Sequence, residues 1–200
     1  MYIIGITGGT GSGKTTIINE INKLVDSSKI CFLSSDSYYK NNAKLNFNER
    51  DNLNYDTPDA IDFNLLIKHI KMLKQGKGIN VPNYCFSTHL RLENSTFLEH
   101  KKVLIIEGIL ILANEILREI IDYSVFLDCP REIRFKRRLE RDIKERGRKY
   151  SDVVNLFKNR LDEMHSKYVE PYKSECNLII NTNEKIYLNH LVDIIKKNLE

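Results

Sequence analysis

Residues 2 to 18 read Tyr-Ile-Ile-Gly-Ile-Thr-Gly-Gly-Thr-Gly-Ser-Gly-Lys-Thr-Thr-Ile-Ile. An apolar run stops at a glycine-rich turn, and the turn opens an apparent helix. Gly8, Gly13, Lys14 and Thr15 match the pattern G-x-x-x-x-G-K-[ST] of a phosphate-cradling loop, in the strand-to-helix setting that the motif demands. The glycines admit backbone turns that a Cβ would block, so successive N–H groups of Gly8, Gly9, Thr10, Gly11, Ser12 and Gly13 can face phosphate oxygens. Lys14 supplies a point charge to the β- and γ-phosphates. The Thr15 hydroxyl, followed by Thr16, can ligate the Mg²⁺ that bridges them. Binding of a nucleoside triphosphate, ATP or GTP, is the first expectation.

Working outward, residues 13 to 26 carry Ile17, Ile18, Ile21, Leu24 and Val25 at helical spacing, and residues 29 to 34 read as a second strand. A βαβ unit with parallel pairing is expected. Ligands of open parallel sheets bind beyond the carboxyl ends of the strands, which puts Asp36 on the same edge as the loop. Asp36 is placed to take a proton from an attacking hydroxyl or to hold Mg²⁺; an Asx-type cap is the alternative. Residues 41 to 56 read as a mobile loop, and Thr57-Pro58-Asp59 as a helix start with Phe63, Leu66, Ile67, Ile70 and Leu73 as its apolar stripe. Residues 79 to 98 read as a hairpin whose exposed tip carries Tyr84, Phe86 and His89, which can stack on and hydrogen-bond a planar ligand; edge packing, the commoner fate of such aromatics, is the alternative.

Strands follow at 103 to 106, 124 to 127 and 178 to 180, which makes five in a parallel sheet. Glu107 ends the first of these, where a second magnesium contact is expected. After Pro130, Phe135, Leu139 and Ile143 are expected to anchor a helix. Arg137, Arg141 and Arg148 stand on another face, with Arg138 and Arg146 beside it. Residues 131 to 148 hold nine basic and four acidic side chains, so this segment carries the chain's excess of positive charge. One compact patch suits a nucleotide's phosphates, and the interleaved basic and aromatic stripe of a nucleic-acid track is not present. The segment of about 131 to 150 therefore reads as a lid that closes on phosphate. A stripe over 152 to 169, Leu156 included, reads as packing, and Ile186, Leu191, Ile194 and Ile195 as a terminal helix.

The 200 residues, 42% of them hydrophobic, suit one α/β domain. No apolar run approaches a membrane span, and no basic start or cleavage site precedes the loop, so a cytoplasmic protein is expected. Cys31, Cys85, Cys129 and Cys176 lie too far apart for a zinc site or a disulfide framework.

Taken together, the chain resembles the uridine kinase (uridine-cytidine kinase) family of P-loop kinases. The resemblance rests on Gly8 to Thr16, Asp36-Ser37-Tyr38-Tyr39, Asn54-Tyr55-Asp56-Thr57-Pro58-Asp59-Ala60-Ile61-Asp62, Pro82 to Arg91, Glu107-Gly108-Ile109-Leu110 and Arg137 to Arg148. It implies a three-layer P-loop kinase fold over residues 1 to 200, with a hairpin insertion and an arginine-rich helical lid. The implied reaction moves the ATP γ-phosphate to the 5′-hydroxyl of a pyrimidine ribonucleoside. Asp36 is implied as the base, Asp56 as the holder of the ribose hydroxyls, and Tyr39, Tyr84 and His89 as acceptor contacts. Arg138 and Arg148 are implied on the acceptor side, Arg141 and Arg146 on the phosphates, and a homo-oligomer as the assembly.

The chain departs from the family's pattern at three places. Cys85 stands where the hairpin usually has Asp, Leu156 where a Gln reads the base edge, and Asn181-Thr182-Asn183 where Pro-Arg-Gly follows the last strand. An unpaired base edge costs affinity, so these changes bear on the acceptor more than on phosphoryl transfer. Another hydroxyl acceptor, as in the phosphoribulokinase and pantothenate kinase branches, stays open. A nucleotide switch with no acceptor would not need Asp56, Tyr84 and His89.

Overall fold

The computed structural model describes residues 1 to 184 and 186 to 200. Five strands, β1 (Tyr2–Thr7), β2 (Ile30–Ser34), β5 (Val103–Glu107), β6 (Tyr123–Asp128) and β7 (Leu178–Asn181), form one parallel sheet in the order β2-β5-β1-β6-β7. Each strand is a near-continuous apolar run because both faces of the sheet are covered. Side chains alternate between the faces. Ile3, Leu104 and Ile106 pack with α3 (Phe63–Lys74) and α4 (Glu115–Ile120) on one side. Ile4, Ile6, Val103 and Ile105 pack with α1 (Lys14–Leu24) and α8 (Asn189–Lys197) on the other. Ile17 of α1 has no exposed surface, and its truncation to Ala would cost about 2–5 kcal/mol.

The expected direct pairing of β1 with β2 does not occur, because β5 inserts between them and pairs with both. A helical crossover fixes parallel direction and handedness, yet leaves room for a later strand to enter. The insertion matters for the site: Ser34 and Ile6 both register against Glu107, so the carboxyl ends of β1, β2 and β5 lie level.

Other boundaries shift for local reasons. Within the expected loop, α2 (Phe47–Asp51) forms because the Asn46 side chain accepts from Glu49 N–H while Glu49 reaches back to Asn46 N–H. Pro58 opens a separate short 3-10 turn, Pro58–Ala60, and α3 starts only after Asp62, whose carboxylate accepts from Leu65 N–H. Ile186 precedes α8 instead of belonging to it. The hairpin consists of β3 (Ile79–Cys85) and β4 (Leu90–Leu98) in antiparallel pairing. After β6 come α5 (Arg131–Lys144), α6 (Tyr150–Leu156), a π turn (Phe157–Leu161) and α7 (Asp162–Tyr168).

The anchoring of α5 also differs from expectation. Its buried residues are Arg134 and Asp142, while Ile143 is 40% exposed and Phe135 packs edge-on against Phe157. The helix is held by these two buried polar residues as well as by Phe135, and of the expected row only Ile143 stands in solvent. Among the described residues no helix is long and apolar enough to cross a membrane.

Candidate active site

A cavity of about 450 Å³ runs along the level ends of β1, β2 and β5 and beneath α5. At one end lies the glycine-rich loop. Gly13 caps α1 at φ 96° without any side-chain cap, so the first-turn N–H groups remain available to an anion. Gly11 sits at φ 76°, and a Cβ there would approach the Arg134 carbonyl to 2.4 Å, so close packing of the loop on α5 requires glycine. Thr10, Gly11, Gly13, Lys14, Thr15 and Thr16 line the cavity. Gly8, Gly9 and Ser12 form the underside: Ser12 donates its N–H to the Gly9 carbonyl, and its own carbonyl accepts from Thr182 Oγ1 at 2.8 Å. Thr182, one of the three departures after the last strand, thus braces the loop.

Lys14 Nζ donates to the carbonyls of Gly8 and Gly9 at 3.0 and 3.3 Å. Burial pushes its ammonium pKa down, and the carboxylates of Glu107 and Asp36 oppose that shift. Glu107 accepts a short hydrogen bond from the Ser34 hydroxyl. Its carboxyl is pushed up by burial and then by Asp36, while Lys14 and Ser34 pull it back. Asp36 follows β2 on a short 3-10 turn, with its N–H donated to Ser34 Oγ at 3.3 Å. The three side chains that carry the phosphoryl-transfer expectation therefore share one patch of the cavity wall.

At the other end Asp56, Tyr39, Tyr84 and His89 line the wall, as the resemblance implies, together with Tyr55 and Phe86. Burial pushes the Asp56 carboxyl up, and Arg138 is the main opposing charge. Tyr39 is nearly buried, with its ring edge-on to Tyr55 at 5.4 Å and tilted against Tyr84 at 5.2 Å. His89 corrects the expectation of an exposed tip: it is 7% exposed, stacked on Tyr55 at 4.7 Å and at φ 56°. Its Nε2 lies 3.3 Å from Asp51 Oδ1 and 3.3 Å from Arg148 Nη2. The hairpin folds back on α2 and the lid, where Asp51 and Arg148 meet the imidazole and offset the cost of its burial. Burial and Arg148 push its pKa down, with Asp51 opposing.

The arginines reach over both ends. Arg138 donates to Thr10 Oγ1 at 2.6 Å, Arg146 lies over the Phe86 ring at 4.5 Å, and Arg148 bonds Asp51 at 3.0 Å. Arg141 lines the cavity beside the loop. Arg137, read as a lid arginine, is tied to the Thr182 carbonyl at 2.9 Å and lines the cavity. Asp51, Leu53, Tyr55 and Arg160, given no role in the sequence, line it too. Asp142, behind the wall, also went unread. Its spacing was the available signal, four residues after Arg138 and four before Arg146.

A phosphate-cradling loop, a lysine and two carboxylates at the level ends of a parallel sheet, under an arginine-bearing helix, define a P-loop kinase. The chain belongs to the phosphoribulokinase / uridine kinase family, whose model matches residues 3–187. It is 41% identical over 198 residues to a uridine kinase of Clostridium perfringens, covering 98% of this chain and 95% of that one. It is 43% identical over 178 residues to a uridine kinase of Staphylococcus aureus, covering 89% and 86%. Its fold is similar to that of the solved phosphoribulokinase from Rhodobacter spheroides, with TM-score 0.61, 14% identity and coverage of 90% and 69%.

Proposed function

We propose that this chain, working as one kinase domain, moves the γ-phosphate of ATP to the 5′-hydroxyl of uridine or cytidine, the reaction of pyrimidine salvage. The observation that carries the reading is the single cavity that joins the phosphate loop, through Asp36, to the Asp56, Tyr84 and His89 wall. Names of the relatives support uridine among the acceptors.

In this reading loop N–H groups and Lys14 hold the β- and γ-phosphates. Asp56 accepts hydrogen bonds from the ribose diol, which sets the 5′-hydroxyl in line with the γ-phosphorus. Asp36 takes the hydroxyl proton as the new P–O bond forms, and ADP leaves. Arg141 and Arg146 offset charge on the transferring group. The aromatic wall excludes water, so transfer to the nucleoside outruns hydrolysis.

Thr15, Asp36 and Glu107 suit Mg²⁺. The Glu107 carboxyl is pushed up by burial and by the neighbouring Asp36, an arrangement that a cation relieves. When bound, Mg²⁺ would neutralise charge between the β- and γ-phosphates.

The test is a competition of acceptors at fixed ATP. Uridine and cytidine should give the highest kcat/KM, with ribulose 5-phosphate and pantothenate near background. Preference for either of the latter overturns the acceptor assignment and leaves the kinase class standing.

A further inference from the structure

Between α6 and α7 the helix widens into the π turn Phe157–Leu161. Such a turn holds an extra residue and re-aims the side chains around it, frequently at functional sites. Leu156 and Arg160, four residues apart and so on one face, both line the cavity wall with Asp56. Leu156 is the position at which the family resemblance expects an amide, and its isobutyl group offers no hydrogen bond. Arg160, four residues on, offers a guanidinium.

The guanidinium is held by one contact, from Nη1 to the Leu53 carbonyl at 3.1 Å, and makes no second hydrogen bond among the described residues. A guanidinium has five N–H donors and no acceptor, and Arg160 lines the cavity, so donors beyond the one on Leu53 remain for a ligand. Asp56 across from it is an acceptor when ionised, and Arg160 is among the charges that favour that ionised form. A hydroxyl carries one donor and two acceptor lone pairs. A sugar hydroxyl between the two can therefore donate to Asp56 and accept from Arg160, with both of its polarities satisfied.

We infer that Arg160 is a substrate-binding residue: anchored on the Leu53 carbonyl, it donates to the ribose hydroxyl that donates to Asp56, a polar contact on the sugar beside a Leu156 that offers none to the base. The inference rests on the nucleoside kinase reading. It adds Arg160 to Asp56 as a determinant of discrimination between ribose and deoxyribose. Removing one donor to a charged or buried partner leaves the substrate hydroxyl unpaired, which costs selectivity as well as affinity.

The experiment measures KM and kcat for uridine, 2′-deoxyuridine and 3′-deoxyuridine, and KM for ATP, in the parent enzyme, Arg160→Ala and Arg160→Gln, with a thermal melt for each. Arg160→Ala should raise the uridine KM by about tenfold or more, leave the ATP KM within about twofold, and narrow the preference for uridine over at least one deoxynucleoside severalfold. Arg160→Gln retains a donor and should show a smaller change in the same direction; it also covers the case in which the alanine variant fails to fold. A purely structural link to Leu53 would lower the melting temperature and leave the uridine-to-deoxyuridine ratios unchanged. Unchanged ratios in the folded variants overturn the inference while the parent's turnover of uridine keeps the nucleoside kinase reading intact. No turnover of any ribonucleoside by the parent overturns that reading and this inference with it.

Discussion

Asp142, with no exposed surface, accepts a hydrogen bond from Arg138 Nε at 2.5 Å. Its other oxygen accepts from Arg141 at 3.1 Å and pairs with Arg146 at 3.4 Å. One carboxylate thus gathers three of the lid's guanidiniums and offsets their mutual repulsion. Burial works against its ionisation, and the three guanidiniums outweigh it, leaving the carboxyl below its ordinary 3.8.

Replacing Asp142 with Asn should therefore loosen the lid from inside. The buried arginines lose their counter-charge, and stability should fall by about 3–5 kcal/mol, read in urea or thermal unfolding. A depressed carboxyl pKa contributes stability that is complete above the unfolded value and is lost as pH falls through the folded one. The difference between parent and Asp142→Asn should accordingly be full above ~pH 5 and shrink below ~pH 4. The ATP KM should rise in parallel, since Arg141 and Arg146 lose their aim.

Lys14→Ala should cut turnover by on the order of a thousandfold with an unaltered circular dichroism spectrum, because the side chain hydrogen-bonds to loop carbonyls and faces the cavity instead of the core. Near-normal turnover in a folded variant would remove the loop from the chemistry.

Asp36→Asn keeps size and hydrogen bonding while losing proton acceptance, so transfer should fall by roughly two to four powers of ten with little change in uridine binding. If the carboxylate chiefly held Mg²⁺, raising magnesium would restore part of the rate. A magnesium titration of the variant separates the two roles, and full activity at low magnesium would remove both.

Among the four cysteines, Cys85 should be alkylated first. Hydrogen bonds from the side chains of Ser87 and Thr88 lower its thiol pKa to about 7, whereas burial pushes that of Cys31 up to about 11. Cys129 is buried, and burial raises the Cys176 pKa. Iodoacetamide labelling followed by peptide mass spectrometry should place the label on Cys85, with the rate rising through about pH 7. First labelling at Cys176 would contradict the hairpin geometry.

The sheet was legible in the sequence because runs such as Ile3-Ile4 and Val103 to Ile106 bury alternate side chains on both faces and leave no competing periodicity. The loop and Asp36 were legible because their places follow from strand ends. The order of strands was not, since nothing in a crossover reserves or forbids the gap that β5 fills. Asn46 and Glu49 carried a readable capping box, overlooked among the polar residues around it. Asp142 was hidden by the charge excess of α5, which reads as a solvated face until the helix is seen against the cavity. Arg160 stands four residues after Leu156, a spacing that sets both on one helix face, so its signal was present and was masked by the apolar stripe around it.

The most direct test of the account is the product balance with purified enzyme, ATP, Mg²⁺ and uridine, set beside the same mixture with 5′-deoxyuridine, which lacks the acceptor hydroxyl. Chromatography should show one UMP formed for each ADP with uridine, and neither product above background with 5′-deoxyuridine. ADP released at the same slow rate with uridine, with 5′-deoxyuridine and with no nucleoside would contradict the account and make the chain a nucleotide switch.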